Sequence, residues 1–310
     1  MAELMVLDAA SMYFRAFFGV PDSVRAPDGT PVNAVRGFLD FIAHLTKLRR
    51  PTHLVACMDY DWRPAFRVEA IPSYKAHRVA VPATTSAPAE EEVPDDLEVQ
   101  VPIITDVLDA IGIVHLGVEG HEADDVIGTL ATRAHGPVDV VTGDRDLFQL
   151  VDDERAVRVL YIAKGIRNLE IVDEAAVSRK YGIPGRSYAA FASLRGDPSD
   201  GLPGVPGVGD KTAAALVSAH GDIPAILAAA EDPGSAMSPA VRRKLRDAAA
   251  YLAVAPKVVE VVRDLPVPDV DATLPAVPRD PEALLALSDR WGLDSPLNRL
   301  LGALSEVAER

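Results

Sequence analysis

Short apolar runs alternate with amphipathic stretches through the first half of the chain. Leu4-Met5-Val6-Leu7 is a continuous apolar run closed by Asp8, and His53 to Met58 has the same form with Asp59 after it. Runs of this length with polar ends predict buried strands. Between them, Ala9 to Phe18 reads as a helix. Thr30-Pro31 predicts the opening of a second helix, with an N-cap and a proline at the first position. That helix extends to about Arg49 with Val35, Phe38, Leu39, Ile42 and Leu45 on one face. Ile113 to Leu116 and Val138 to Val141 repeat the strand pattern, and a helix-like stretch from Asp124 to His135 lies between them. Strands that alternate with helices predict an α/β fold with a mostly parallel central sheet and right-handed crossovers.

The pattern changes near Asp173. Helical segments follow at about 173–181, 186–194, 210–219, 223–230 and 238–252, with little strand character. The chain is therefore expected to divide into an α/β domain at 1–173 and a mainly helical domain at 174–310. Pro256 to Pro281 is punctuated by prolines, and Val258-Val259-Glu260-Val261-Val262 within it predicts a short strand. An amphipathic pair at about 281–290 and 296–308 is expected to pack back on the body. Val79 to Pro94, rich in Ala, Pro, Thr and Glu, has little that could join a core. It is expected to form a mobile loop or arch within the region 72–98.

Composition alters this picture in two places. The 310 residues, 48% of them hydrophobic, are ordinary for a globular protein of two domains. No apolar run reaches the length of a membrane span, and no basic, cleavable leader precedes Leu4. A cytoplasmic protein with no membrane partner, acting as a monomer, is expected. Cys57 is the only cysteine and sits in the apolar run Leu54-Val55-Ala56-Cys57-Met58, so a small buried core residue is expected there. The net charge of −15 argues against nucleic acid when read as one number. Recognition uses local patches, however, and carboxylates that bind divalent cations stop counting as bare negative charge.

Parallel α/β sheets place their sites just beyond the carboxyl ends of the strands. Asp8, Asp59 and Asp144 fall there, and Glu122, Asp124 and Asp125 open the helix after another apolar run. A solvated acidic face does not explain why all of these follow strands. Hard oxygen ligands in such a cluster suit Mg²⁺ or Mn²⁺ and not Zn²⁺, and no HxH or HExxH pattern is present. Two such ions about 3.5–4 Å apart can activate a water and stabilise the leaving oxygen of a phosphodiester. Asp146, Asp197 and Asp200 extend the acidic set. The stretch GDPSDGLPGVPGVGDKTA at 196–213 places Gly204, Gly207 and Gly209 before a helix N-terminus, where a backbone can approach an anion. It is not a Walker A loop, because Asp210 separates Gly209 from Lys211. A glycine hairpin between helices that grips a nucleic-acid backbone fits better.

YKAHR at 74–78, HEADDVIGTLA at 121–131, TGDRDLFQL at 142–150 and the 196–213 stretch together resemble the 5′ nuclease, or flap endonuclease, family. The likeness is strongest to the 5′-3′ exonuclease domain of bacterial DNA polymerase I and runs from about Met1 to about Leu265. It implies a PIN-like α/β fold with a helical arch and a helix–three-turn–helix DNA-binding domain. It implies that Asp8, Asp59, Glu122, Asp124 and Asp125 surround a first metal, with Asp144, Asp146, Asp197 and Asp200 around a second. Lys75 and Arg78 match basic arch residues at the scissile phosphate, and Phe14 matches an aromatic that stacks on a terminal base. Arg67, Tyr74, Arg195, Gly204, Gly207, Gly209, Lys211 and Thr212 are the further DNA contacts this implies. Relatives also hold a monovalent cation on backbone carbonyls of the helix–three-turn–helix, so K⁺ is a further candidate at 196–213.

The implied activity is 5′-3′ exonuclease and flap endonuclease hydrolysis of DNA, leaving a 5′-phosphate and a 3′-hydroxyl. The implied substrates are 5′ flaps, free 5′ ends, nicked or gapped duplexes and RNA-primed ends met in replication and repair. Two features depart from the family pattern. The sequence ends at Arg310, so a stand-alone nuclease without a polymerase is expected. The 79–94 stretch is also followed and overlapped by acidic residues, Glu90, Glu91, Glu92, Asp95 and Asp96. One alternative is a catalytically inactive DNA-structure binder, against which the intact acidic positions argue. Another is a phosphatase with Asp8 as nucleophile, which would want a second Asp where Ala10 stands.

Overall fold

The computed structural model describes residues 4–81, 90–91 and 93–309. The predicted apolar runs form β1 (Leu4–Asp8) and β2 (His53–Cys57), followed in the chain by β3 (Val79–Val81), β4 (Glu90–Glu91), β5 (Val114–Leu116), β6 (Val138–Thr142), β7 (Val157–Tyr161) and β8 (Glu170–Val172). Six of them make one sheet in the order β5-β2-β1-β6-β7-β8, parallel except for the edge strand β8. The central strands are apolar throughout because helices cover both faces. α1 (Ala9–Gly19) and α2 (Asn33–Arg49) follow β1. α3 (Ala65–Ala70), α4 (Asp95–Glu98) and α5 (Val101–Ile111) fall between β2 and β5, and α6 (Ala123–Arg133) joins β5 to β6.

The helical half comprises α7 (Glu174–Tyr181), α8 (Tyr188–Arg195), α9 (Asp210–His220), α10 (Ile223–Glu231), α11 (Pro239–Asp247), α12 (Ala249–Leu252), α13 (Ala255–Val259), α14 (Pro281–Trp291) and α15 (Asp294–Ala308). Alternation along the strands sends side chains to two cores. Val6, Val55, Val140 and Val159 face one, which they share with Val126 and Ile127 of α6 and with Tyr188, Phe191 and Val258 of the helical half. Met5, Leu7, Leu54 and Val141 face the other, shared with Phe38 and Ile42 of α2, Leu108 of α5 and Leu297 and Leu300 of α15. Helices α7 to α13 are thus fused to one face of the sheet, and α14 and α15 cover the opposite face.

Three local expectations differ. α2 begins at Asn33, because Thr30 and Pro31 are used in a turn in which Ala26 donates to the Thr30 carbonyl and Arg25 bridges Pro31. The valines at 258–259 end helix α13, which Pro256 opens, and burial under the helical half overrides their strand propensity. Within 72–98 the described residues form a 3₁₀ turn (Ala76–Arg78), the antiparallel pair β3–β4 and the short α4; much of the expected arch lies outside the described residues. β7 and β8, which had no counterpart in the sequence reading, complete the sheet. Among the described residues no single helix is long and apolar enough to cross a membrane.

Candidate active site

The carboxyl ends of β1, β2 and β6 open into a cleft of about 1300 Å³. Asp8, Asp59, Glu122, Asp124 and Asp144 line it, with Lys75, Arg78, Trp62 and Phe14. Backbone amides and hydroxyls hold the carboxylates. Asp8 caps α1, accepting from Ser11 N at 2.9 Å and from the Thr142 hydroxyl at 2.7 Å. Asp59 accepts from Ala123 N at 2.6 Å, which ties the end of β2 to the start of α6. Asp144 accepts from Asp146 N at 2.9 Å, and the Asp144 amide donates to the Thr142 hydroxyl at 2.9 Å. Ser11 and Thr142 therefore position the cluster. The sequence reading missed both, although Ser11 stands three residues after Asp8, the spacing of a capping pair.

The electrostatics of this wall are unbalanced. Burial, then the neighbouring Asp59 charge, pushes Asp8 up to about 7. Asp124 is driven well above the usual carboxylate range by burial and by Asp8 and Asp144. Asp59 opens onto the cleft yet lies deep among protein atoms, and desolvation with the Glu122 charge raises it. Asp146 is raised well above the usual range by burial and by Asp144, Asp200 and Asp197. Its Oδ1 is buried without a hydrogen-bond partner. Among the described residues Asp8, Asp59, Asp124, Asp144 and Asp146 have no ion-pair partner. Such groups favour a bound cation.

Glu122 and Asp125 are placed differently. Asp125 is fully buried and receives a two-pronged contact from Arg67, at 2.6 and 2.9 Å, with Val262 N at 2.8 Å. Glu122 accepts from Arg67 at 3.1 Å, from the Tyr74 hydroxyl at 2.8 Å and from the Lys75 ammonium. Asp125, expected beside a first metal, is thus sealed behind the cleft wall by Arg67. Arg67 and Tyr74, expected at a DNA surface, are 2% and 4% exposed and lie beneath the site. Arg67 also donates to the Val258 carbonyl at 3.0 Å, so this network fastens α3, α6 and the end of α13 together. Burial tends to lower the pKa of Lys75, but Glu122 and the other carboxylates outweigh it and hold the ammonium charged.

The helical half brings in the second acidic group. Asp200 accepts from Arg78 at 2.9 Å, and its carbonyl accepts from Lys75 N at 2.9 Å. Burial pushes Asp200 to about 6 against the pull of Lys75, with Asp144 adding to the rise. Asp197 is engaged by Ser199 and, at 3.3 Å, by Arg195. Asp146, Asp197 and Asp200 lie beyond the main cleft lining, coupled to it through Asp144. Among the described residues no group of three or more His, Cys, Asp or Glu is arranged to hold an ion directly.

The hairpin glycines divide in role. A Cβ at Gly204, at φ +64°, would collide with the Arg195 carbonyl, so this glycine permits packing of the turn on α8. Gly207, at φ +74°, lies under Lys244. Gly209, before the first turn of α9, faces open space, with Lys211 exposed and Thr212 partly exposed beside it. Phe14 stacks on Tyr13 at 5.5 Å and lines the cleft. The cleft continues past Arg15 and Phe18 to Phe41, Lys47 and Arg299, a reach the sequence reading did not anticipate.

Two family profiles match: the 5′-3′ exonuclease N-terminal resolvase-like domain over residues 3–182 and the 5′-3′ exonuclease C-terminal SAM fold over residues 183–282. A 5′-3′ exonuclease of Streptomyces coelicolor is 63% identical, with 97% of this chain and 100% of the relative covered. DNA polymerase I of Mycobacterium bovis is 39% identical over 92% of this chain, which spans 30% of that polymerase. The flap endonuclease of bacteriophage T5, solved with DNA and metal ions, superposes with a TM-score of 0.62 at 16% identity, covering 99% of each chain.

Proposed function

This chain belongs to the 5′-3′ exonuclease family, and from that premise we propose that it is a divalent-metal-dependent 5′-3′ exonuclease and structure-specific flap endonuclease. It acts on 5′ flaps, free 5′ ends and nicked or gapped duplexes, including RNA-primed ends, in replication and repair. The observation that carries this reading is the convergence of Asp8, Asp59, Asp124 and Asp144 on one cleft, with no ion-pair partner among the described residues and with Asp8 and Asp124 strongly raised. The orphaned Asp146 Oδ1 and the all-oxygen donor set fit Mg²⁺ or Mn²⁺. Asp8, Asp59, Asp124 and Asp144 would hold such ions on one side, with Asp146, Asp197 and Asp200 on the other, partly through water. Two hard cations there would supply an activated water and stabilise the leaving oxygen.

The chain's own residues orient the substrate. Lys75 and Arg78 line the cleft, held by Glu122 and Asp200, and offer fixed positive charge where negative charge develops on the phosphate oxygens. Phe14 provides a stacking face for an unpaired base. The hairpin around Gly209, with Lys211 and Thr212, holds the duplex by backbone contacts that do not read sequence. Glu122 acts as an anchor for Lys75 as well as a wall of the cleft, and Asp125 serves the fold through Arg67. Products are a 5′-phosphate and a 3′-hydroxyl. The test is to map the products of a 5′-labelled flap duplex with Mg²⁺, with Mn²⁺ and with a chelator. The reading expects metal-dependent cleavage at the junction, and cleavage unaffected by the chelator contradicts it.

A further inference from the structure

On the carbonyls of the 196–213 hairpin, where K⁺ is expected, a positive charge of the chain's own is already in place. The Lys244 ammonium donates to the Gly207 carbonyl at 2.8 Å. Lys244 comes from α11, and its side chain lies so close over Gly207 that a Cβ there would sit 2.7 Å from the ammonium nitrogen. Two other carbonyls of the turn, those of Val205 and Gly209, also accept from within the chain. Val208 N donates to the Val205 carbonyl at 2.9 Å, and the amides of Thr212 and Ala213 donate to the Gly209 carbonyl at 3.0 and 2.9 Å. Three alternate carbonyls of the turn thus have donors from within the chain, one of them a full positive charge. A second cation on the Gly207 carbonyl would be repelled by the first.

We infer that Lys244 is a built-in cation of the hairpin: its ammonium does in this chain what a bound monovalent ion would otherwise do, and the DNA grip works without a specific cation. The charge-assisted bond fixes the carbonyl side of the turn. It also adds positive potential beside the first turn of α9, the positive end of that helix's dipole. Two of the other three basic residues of α11 are committed elsewhere: Arg242 donates to the Asp232 carbonyl at 3.0 Å and Arg246 to the Ala230 carbonyl at 2.8 Å, and no bond from Arg243 to the hairpin is present among the described residues. Lys244 is therefore the α11 side chain that bridges to the hairpin.

The inference rests on the proposed DNA-binding role of the hairpin, and the test separates the two. Equilibrium binding of a fluorescent flap duplex is measured in EDTA, in KCl, NaCl and N-methyl-D-glucamine chloride at one ionic strength, since phosphate contacts respond to total salt. Wild-type affinity is expected to agree within about twofold across the three salts. Lys244→Met is expected to bind about tenfold more weakly in N-methyl-D-glucamine, as loss of a charged hydrogen bond implies, and to recover selectively in KCl. Lys244→Arg keeps the charge and should stay near wild type. A wild type that binds about tenfold tighter in K⁺ than in the organic cation overturns the inference without any variant. So does a Lys244→Met loss that is absent or equal in every salt, the latter making Lys244 an ordinary phosphate contact. Wild type that binds no flap DNA in any salt removes the hairpin's proposed role and the inference with it.

Discussion

At the scale of single residues, the carboxylates at strand ends were legible because a parallel sheet has only one edge where they can meet. Asp8, Asp59 and Asp144 reach it from β1, β2 and the turn after β6. Arg67 was misread for a physical reason. Its neighbours Trp62, Arg63 and Phe66 make a basic aromatic stretch that suits nucleic acid, but its partner Asp125 lies 58 residues away and only the folded chain brings them together. Arg67→Ala should leave Asp125 buried without its guanidinium, while Glu122 keeps Lys75 and Tyr74, a loss of about 3–5 kcal/mol by urea unfolding. A DNA contact on the surface would leave the unfolding midpoint in place, so an unchanged midpoint contradicts the buried role. Asp8 makes a second prediction. Its pKa of about 7 in the fold exceeds its value of about 3.8 in the unfolded chain, so the metal-free native state holds a proton the unfolded state has lost. Metal-free stability at this site should therefore be full below about pH 4 and fall as pH rises to about 7. Mn²⁺ should restore it at pH 8, and Asp8→Asn should weaken both effects, leaving the part that the raised Asp59, Asp124, Asp146 and Asp200 contribute. Melting curves at pH 5 and pH 8, with and without the ion, check this.

At the scale of elements, two joints set the site. The first is where the helical half meets the residues before β3. Ser73 donates to the Gly201 carbonyl at 2.7 Å, and Gly201, at φ +71°, passes so close to the Ser73 carbonyl that no Cβ fits. Gly201→Ala should push Asp200 away from Lys75 and slow flap cleavage about a hundredfold, the scale set by small misplacements, with the melting temperature much less affected than the rate. Equal rates would mean that this joint does not position the chemistry. The second joint is α15 against α2, where Leu300 is fully buried. Leu300→Ala should cost about 2–5 kcal/mol in unfolding free energy. The amphipathic pattern of 296–308 announced a packed helix, but not that its face would cover the side of the sheet opposite α7 to α13. Helix α13 shows the converse limit: valine-rich sequence favours a strand until tertiary burial decides.

At the scale of the whole molecule, a net charge of −15 is compatible with a proposed DNA substrate because recognition uses local patches, and the cleft carboxylates share their cleft with Lys75 and Arg78. The sheet supplies Asp8, Asp59, Asp124 and Asp144, the helical half supplies Asp197 and Asp200, and one continuous core keeps the two halves in register. Order along the chain carried the motifs, whereas the bonds that lock them together, Arg67 to Asp125 and Lys244 to Gly207, appear only in three dimensions. The central claim is that the cleft carboxylates hold the ions that cleave the strand. Single-turnover cleavage of a 5′-flap duplex by Asp144→Asn in Mg²⁺ tests it most directly, alongside flap affinity in EDTA. The account predicts a rate lower by about a thousandfold or more, consistent with losing a fixed electrostatic element of the transition state, at flap affinity close to wild type. A rate within about tenfold of wild type, on the same ladder, would contradict it.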